Sequence, residues 1–162
     1  MRIAVSACLL GETCRYDGRS KPCARVQELV ALGHELVPIC PEIAGGLPTP
    51  RTPCEIVQAP WMESEKTHTA DERSWMILDA NGTDRTAAYA RGAQAELARA
   101  KEAGCELAIL KAKSPSCGSG EVYDGTFSGT LVPGWGIAAA AFRDAGITVI
   151  DETADFSRLS RM

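Results

Sequence analysis

The segment AELARAKEAGCELAIL, residues 95–110, shows most clearly the pattern that predicts the fold class. Its alanine-rich first part is typical of a helix, Gly104 suits the left-handed position that ends one, and LAIL has the length of a strand. The segments VQELVALGHELVPI, 26–39, and AAAAFRDAGITVI, 138–150, repeat this order of helix, glycine and strand. With RIAVSA, 2–7, as an opening strand, the pattern predicts an α/β fold: three Rossmann-like layers with a mostly parallel sheet between helices.

Length and composition predict one domain. The chain has 162 residues, of which 45% are hydrophobic and 23% charged, so a single folded core over 1–162 is expected. Within it, the polar segment 60–80 is predicted to be a hairpin excursion, and 111–129 reads as a long glycine-rich loop. Residues 153–162 are predicted to form a tail.

Charge and cysteine content narrow the class of partner. The formal net charge of −4, without a basic run, argues against a long nucleic acid. No apolar run approaches the roughly 20 residues that cross a bilayer, so a cytoplasmic protein without a membrane partner is expected. Seven cysteines are an odd number for disulfides, and in a reducing compartment they indicate thiols that bind a metal, react or fill the core.

Three cysteines follow predicted strands of the sheet. Cys8 comes after RIAVSA, Cys40 follows LVPI, and Cys117 lies in the loop after LAIL. The carboxyl ends of parallel strands share one edge, where ligands bind in open α/β sheets. The pattern therefore predicts that these three thiols meet at one site at the carboxyl edge.

The other cysteines and the two histidines carry weaker signals. The loop position of Cys14 leaves its role open, and His34 and His68 are expected at the solvated surface because their neighbours are polar. Core packing is the favoured interpretation for the remaining three cysteines: Cys23, Cys54 and Cys105.

The number of converging thiolates limits which metal centre they could bind. Structural zinc usually takes four Cys or His ligands, whereas an iron–sulfur cluster on three thiolates keeps one iron open as a Lewis acid. Glu42 lies two residues after Cys40 and Ser114 three before Cys117, which would put a proton-transfer group and a hydroxyl beside such a site. Both residue types are also common in ordinary loops and turns.

Four motifs, in order along nearly the whole chain, resemble the thiouracil desulfidase family, also known as domain of unknown function 523. The motifs are SACLLG..CRYDG at 6–18, CPE..GGLPTPR at 40–51, LK..SPSCG at 110–118 and YDGTFSG at 123–129. The later G.GIAAA..RDAGI.VIDE fits the same family.

The resemblance implies a cytoplasmic bacterial enzyme with a [4Fe-4S] cluster on Cys8, Cys40 and Cys117, and with Glu42 and Ser114 as catalytic residues. Its implied reaction is non-redox: the sulfur of a thiolated nucleobase such as 2-thiouracil binds the open iron, water adds, and the oxo base and sulfide result. The implied partner is therefore a small-molecule thiolated nucleobase. Nothing in the sequence indicates an oligomeric state.

Two departures from the family pattern leave other interpretations open. The segment 60–80 is longer and more polar than expected, and Cys54 stands where a smaller residue is expected, so another thioamide or thiolated base is a possible substrate. The residues also allow a cluster-free enzyme with Cys117 as nucleophile or persulfide carrier. A structural zinc-binding interaction module is the third reading.

Overall fold

The computed structural model describes residues 1–58 and 75–161. Its strands are β1 Arg2–Ser6, β2 Glu35–Ile39, β3 Cys54–Gln58, β4 Trp75–Asp79, β5 Leu107–Leu110, β6 Ser119–Tyr123, β7 Leu131–Trp135 and β8 Thr148–Asp151. Its α-helices are α1 Ala24–Gln27, α2 Pro41–Ala44, α3 Thr86–Glu102 and α4 Ile137–Asp144. Short 3-10 turns lie at Ala7–Leu10, Glu28–Val30 and Leu159–Arg161.

The central sheet is parallel and has the strand order β2-β1-β5-β8. Ala4 of β1 pairs with Val37 of β2 on one side and with Ala108 of β5 on the other. After β2 the chain crosses β1 to reach β5, so the order reverses between β1 and β5. In sheets of this kind the crevice at the reversal, outside the carboxyl ends of the strands, is where ligands bind.

Helical layers cover both faces of the sheet, as the sequence predicts. Successive side chains of a strand point to opposite faces, and Ala4 accordingly packs with α3 and α4 while Ile3 and Val5 face the other layer. On the first face the buried helical residues include Leu97, Ala100, Ala139 and Phe142. On the second face they include Leu9, Val26 and Leu29, and Phe156 from the C-terminal segment packs with them. The three-layer α/β prediction is confirmed.

Two antiparallel hairpins extend from this frame, β3 with β4 and β6 with β7. The predicted excursion over 60–80 lies outside the described residues except for its last part, which contains β4. The reading of 111–129 as a continuous loop is wrong, because Ser119–Tyr123 forms β6 and pairs with β7. Serine and glycine at the start of β6 have a low propensity for strands, so the sequence pattern does not indicate one. The backbone hydrogen bonds come from the pairing with β7.

The chain terminus packs against the start of the sheet. The Phe156 ring is buried, so this part of the predicted tail belongs to the core. His34 is also buried: Nδ1 lies 3.2 Å from the N-terminal amine, and Nε2 lies 3.1 Å from the Leu159 carbonyl oxygen. The expected surface position of His34 is therefore wrong, because the N-terminus and the segment of Leu159, both far from it in sequence, contact its ring. His68 lies outside the described residues.

Helix α2 packs on α3 backbone against backbone. A Cβ on Gly92 would lie 1.7 Å from the Pro41 carbonyl oxygen, and a Cβ on Gly45 would lie 2.1 Å from the Ala88 carbonyl oxygen. Neither position has room for any side chain. This contact fixes α2, and the residues at its start, at the edge of the sheet.

Candidate functional site

A cavity of about 720 Å³ lies at the carboxyl ends of β1, β2 and β5. Residues that directly follow each of these strands line it, as do the segments around Tyr16, Pro53 and Phe127. Its lining includes these thiol, carboxyl, amine and hydroxyl side chains: Cys8, Cys14, Cys40, Glu42, Cys54, Lys111, Ser114 and Cys117. The cavity thus occupies the crevice at which the strand order reverses.

The five residues singled out from the sequence all line this cavity: Cys8, Cys40, Glu42, Ser114 and Cys117. They come from three segments that are far apart along the chain. Their convergence follows from the parallel sheet, which carries the end of each strand to the same edge.

The remaining cysteines separate into two groups. Cys14 and Cys54 also line the cavity, and Cys54 packs at the same time against the apolar cluster that contains Ile56, Ile77 and Tyr89. Cys105 is buried in the cluster between the sheet and α3, and Cys23 packs against the opposite face. All seven cysteines are free thiols.

The thiols around the cavity interact with one another. Cys14 contacts both Cys8 and Cys40. The hydrogen bond with Cys14, together with burial, raises the pKa of the Cys40 thiol. Burial raises the pKa of the Cys117 thiol to about 12. Thiols in this state are protonated at neutral pH when they have no cationic partner.

Ser114 organises the turn that carries Cys117. Its Oγ accepts hydrogen bonds from the N–H groups of Ser116 at 3.1 Å and of Cys117 at 3.2 Å. Its carbonyl oxygen accepts the Gly118 N–H at 2.8 Å, which closes the turn. A hydroxyl has two lone pairs and one proton, so Ser114 keeps only a donor for other partners, such as Ser116 Oγ at 3.0 Å.

Two buried side chains orient the Glu42 carboxylate. The Tyr89 hydroxyl donates to Oε1, and Arg51 Nη2 donates to Oε2 at 3.1 Å. The Glu42 side chain is 18% exposed and that of Arg51 only 5%. Burial, followed by the neighbouring Glu42 charge, raises the pKa of Tyr89, which therefore stays a hydrogen-bond donor. The carboxylate lines the cavity, and each of its oxygens accepts a hydrogen bond from one of these two side chains.

Arg51 also connects Glu42 to the loop of Cys14. Nη2 donates to the Cys14 carbonyl oxygen at 2.8 Å, and Nη1 donates to the Pro48 carbonyl oxygen and to Thr49 Oγ1, both at 3.1 Å. Its Nε–H has no partner among the residues that the structure describes. One buried guanidinium therefore sets the relative positions of two walls of the cavity.

Sequence reasoning missed both partners of Glu42. Arg51 closes the motif CPE..GGLPTPR and could have been noticed there as the basic residue of a segment that also contains Glu42. Tyr89 lies on the apolar face of α3, where its spacing indicates only core packing. Its hydroxyl becomes informative only once α2 is placed against α3.

The backbone of Cys40 is held as well as its side chain. Its N–H donates to Glu96 Oε2 at 3.0 Å, and the same carboxylate accepts from Arg99 Nη1 at 2.8 and 2.9 Å. Glu96 is 3% exposed, so this buried carboxylate is paired on both sides. The strand end that carries Cys40 is therefore fixed to α3.

The donor set fits an iron–sulfur group better than a single metal ion. Within 1–58 and 75–161, no three Cys, His, Asp or Glu side chains form a group able to hold one metal ion. In an iron–sulfur cluster the thiolates bind different irons, so they need not converge on one point. Thiols spread around the walls of one cavity are compatible with binding to different irons of one cluster.

Comparison with known proteins agrees with the family predicted from the four motifs. Residues 3–154 match the 2-thiouracil desulfurase family. The chain is 43% identical over 150 residues to the uncharacterized protein YbbK of Bacillus subtilis strain 168, covering 93% of this chain and 95% of that protein. A solved structure, the [4Fe-4S]-dependent thiouracil desulfidase TudS (DUF523Vcz), superposes with a TM-score of 0.77 at 40% identity, covering 94% of this chain and 91% of that one.

These matches confirm the resemblance inferred from the four motifs. The family and the solved relative are named for desulfuration of thiouracil, which is the cleavage of a C–S bond. The described part of the chain contains no helix long and apolar enough to cross a membrane. With a match over nearly its whole length and relatives at 40% identity or above, the chain belongs to the 2-thiouracil desulfurase family.

Proposed function

We propose that the chain is a cytoplasmic, non-redox desulfidase that converts a small thiolated nucleobase such as 2-thiouracil into its oxo form and sulfide. The observation that carries the proposal is that thiols after β1, β2 and β5 line one cavity together with a fixed carboxylate. The family match and the [4Fe-4S]-dependent relative support it.

Cys8, Cys40 and Cys117 are the proposed ligands of a [4Fe-4S] cluster. When held by three thiolates, such a cluster supplies an iron with a free position that acts as a Lewis acid toward the substrate's sulfur. The backbone is held at two of these cysteines: the N–H of Cys40 is bound to Glu96, and the N–H of Cys117 is bound to Ser114. These bonds limit where the two thiols can lie.

Glu42 is the proposed proton-transfer group. The net reaction replaces the thiocarbonyl sulfur by the oxygen of one water. Both protons of that water end on the departing sulfide, directly or after a ring nitrogen of the nucleobase has carried one of them. A carboxylate oxygen beside the cavity accepts a proton from the attacking water and returns it to the departing sulfur or to a ring nitrogen. Tyr89 and Arg51 each occupy one side of the carboxylate, which leaves a lone pair on each oxygen for this exchange.

Ser114 is the proposed orienting donor. Both of its lone pairs accept backbone N–H groups, so its hydroxyl cannot act as a base toward water. It can donate its proton to an oxygen of the substrate or of the water in place of Ser116 Oγ, which lies 3.0 Å away. This role places Ser114 beside the reacting atoms without requiring it to change protonation state.

Two alternatives receive less support from the same geometry. A cluster-free nucleophile needs a thiolate at neutral pH, but burial raises the pKa of Cys117 to about 12. A structural zinc site usually takes four ligands around one ion; Cys14 contacts Cys8 and Cys40, but no three side chains among the described residues are placed to hold one ion. The cavity, with its carboxylate and hydroxyl, also exceeds what a purely structural site requires.

One preparation tests the proposal. The protein is reconstituted with iron and sulfide without oxygen, and iron, acid-labile sulfide and zinc are measured with the visible absorption spectrum. Sulfide release from 2-thiouracil without added reductant is the expected activity. Bound zinc with no iron after reconstitution, or an absolute need for an electron donor, would contradict the proposal.

Single variants test the ligand set. Cys8→Ala, Cys40→Ala and Cys117→Ala should each lose the cluster. Cys105→Ala is the matched control, since this thiol is buried in the core away from the cavity and its removal should leave the iron content unchanged. A full cluster in any of the first three variants would show that residue not to be a ligand.

A further inference from the structure

The loop between β6 and β7 holds an aromatic residue in an unusual conformation. Phe127 has φ of 55°, in the left-handed region that bulky residues rarely adopt. Its side chain is 39% exposed and lines the cavity. It belongs to none of the three buried apolar clusters among the described residues. Core packing therefore does not explain why a large apolar ring is kept in this position.

Contacts with β3 hold the loop in place. Glu55 Oε1 accepts the N–H of Gly125 at 3.0 Å and the N–H of Phe127 itself at 3.2 Å. Glu55 is buried, and a Cβ on Gly125 would lie 2.7 Å from the Ile56 carbonyl oxygen, so the loop backbone lies directly against the strand. A carboxylate that accepts two backbone N–H groups offsets the cost of the left-handed conformation.

Hydrogen bonds within the loop add to its rigidity. Asp124 Oδ1 accepts the N–H of Thr126 at 2.9 Å and its hydroxyl at 2.6 Å. The Thr126, Ser128 and Thr130 hydroxyls are linked by further bonds of 2.6 and 2.8 Å. Residues 124–130 contribute one aromatic ring to the cavity, that of Phe127; the other aromatic residues that line it, Tyr16 and Tyr123, lie outside this loop.

We propose that the Phe127 ring is the face on which the planar heterocycle of the substrate stacks. The inference rests on the proposed function and names the residue that selects its substrate class. Bases stack on aromatic side chains with an affinity that depends little on base identity, because every base has a π-face. Phe127 then makes the enzyme prefer a thiocarbonyl within an aromatic ring over a small acyclic thioamide.

Three substitutions separate the ring from the backbone that carries it. Phe127→Asn removes the ring, and asparagine tolerates the left-handed conformation, so the loop keeps its path. Phe127→Leu keeps apolar volume without an aromatic face. Phe127→Tyr keeps the ring. Iron content and thermal midpoint, measured for each variant, report whether the cluster and the fold are intact.

We expect the Asn and Leu variants to raise KM for 2-thiouracil, and the dissociation constant of uracil measured by calorimetry, by about tenfold to a hundredfold. The Tyr variant should stay within about threefold of the unaltered protein. Thiourea carries the same thiocarbonyl without a ring, so turnover of thiourea should change little in all three. The preference for 2-thiouracil over thiourea should therefore fall in the Asn and Leu variants alone.

Unchanged KM and uracil affinity in Phe127→Asn, with iron content preserved, would overturn the stacking role while leaving the desulfidase proposal standing. Equal losses for 2-thiouracil and thiourea would also overturn it, because they would indicate a general disturbance of the site. If the unaltered protein releases sulfide from thiourea but not from 2-thiouracil, the nucleobase assignment itself fails.

Discussion

Replacing Gly92 by alanine should push α2 away from α3. The new Cβ would lie 1.7 Å from the Pro41 carbonyl oxygen, 2.7 Å from its carbon and 2.9 Å from the Gly45 nitrogen. All three atoms belong to the backbone, so no change of rotamer relieves the clash. The helices must separate by about 1.3 Å before the closest contact reaches 3.0 Å.

Two opposing effects determine the free energy of unfolding. Overpacking costs about 1 to 3 kcal/mol, and a rigid backbone contact belongs at the upper end of that range. Alanine within a helix regains about 1 kcal/mol relative to glycine. The net loss is about 2 kcal/mol, which corresponds to a fall of about 4 to 8 °C in Tm for a chain of this size.

The assay combines thermal unfolding with iron analysis of the reconstituted protein. Cys40 directly precedes α2 and Glu42 lies within it, so displacement of α2 should also lower the iron content and the rate of sulfide release. Ala95→Gly is the control: Ala95 is exposed on the same helix, and its substitution should cost about 1 kcal/mol from helix propensity while leaving iron unchanged.

The sign of the change decides the outcome. If Gly92→Ala raises Tm by the few degrees that helix propensity alone predicts, and the iron content stays the same, then the two helices do not meet at Gly92. The account of how Cys40 and Glu42 are held would then be refuted.

Three further substitutions test the site. Arg51→Met should lower the free energy of unfolding by about 3 kcal/mol, because it leaves the buried Glu42 carboxylate with one donor fewer. The loss, measured by urea titration, should be smaller in a Glu42→Gln background. If the effects of the two substitutions add within about 0.5 kcal/mol, the ion pair is contradicted. Ser114→Ala should speed the loss of iron to a chelator, since the N–H of Cys117 loses its acceptor, whereas Ser114→Thr should not. Equal rates in the unaltered protein and in Ser114→Ala would show that this hydroxyl does not hold Cys117 in place. Cys14→Ala should keep the iron that Cys40→Ala loses, and iron loss from Cys14→Ala would show a fourth ligand.

The α/β layers, and the edge of the sheet at which the site lies, could be predicted from the sequence alone. Helix, glycine and strand recur three times, and local propensities suffice to interpret such a pattern. Since parallel strands must end at a common edge, the positions of Cys8, Cys40 and Cys117 after β1, β2 and β5 already predicted their convergence. The hairpin of β6 was missed because its stability comes from pairing with β7 and not from its own residues.

The residues that surround these thiols could be identified only from the tertiary structure. Cys14 and Cys54 reach the cavity through loops whose paths depend on distant contacts, such as the bond from Arg51 to the Cys14 carbonyl oxygen. The pairing of Glu42 with Arg51 and Tyr89 requires α2 to lie on α3 at glycine distance. Local sequence carries the periodicity of an element, whereas hydrogen bonds between side chains far apart along the chain depend on distances that only the packed fold sets.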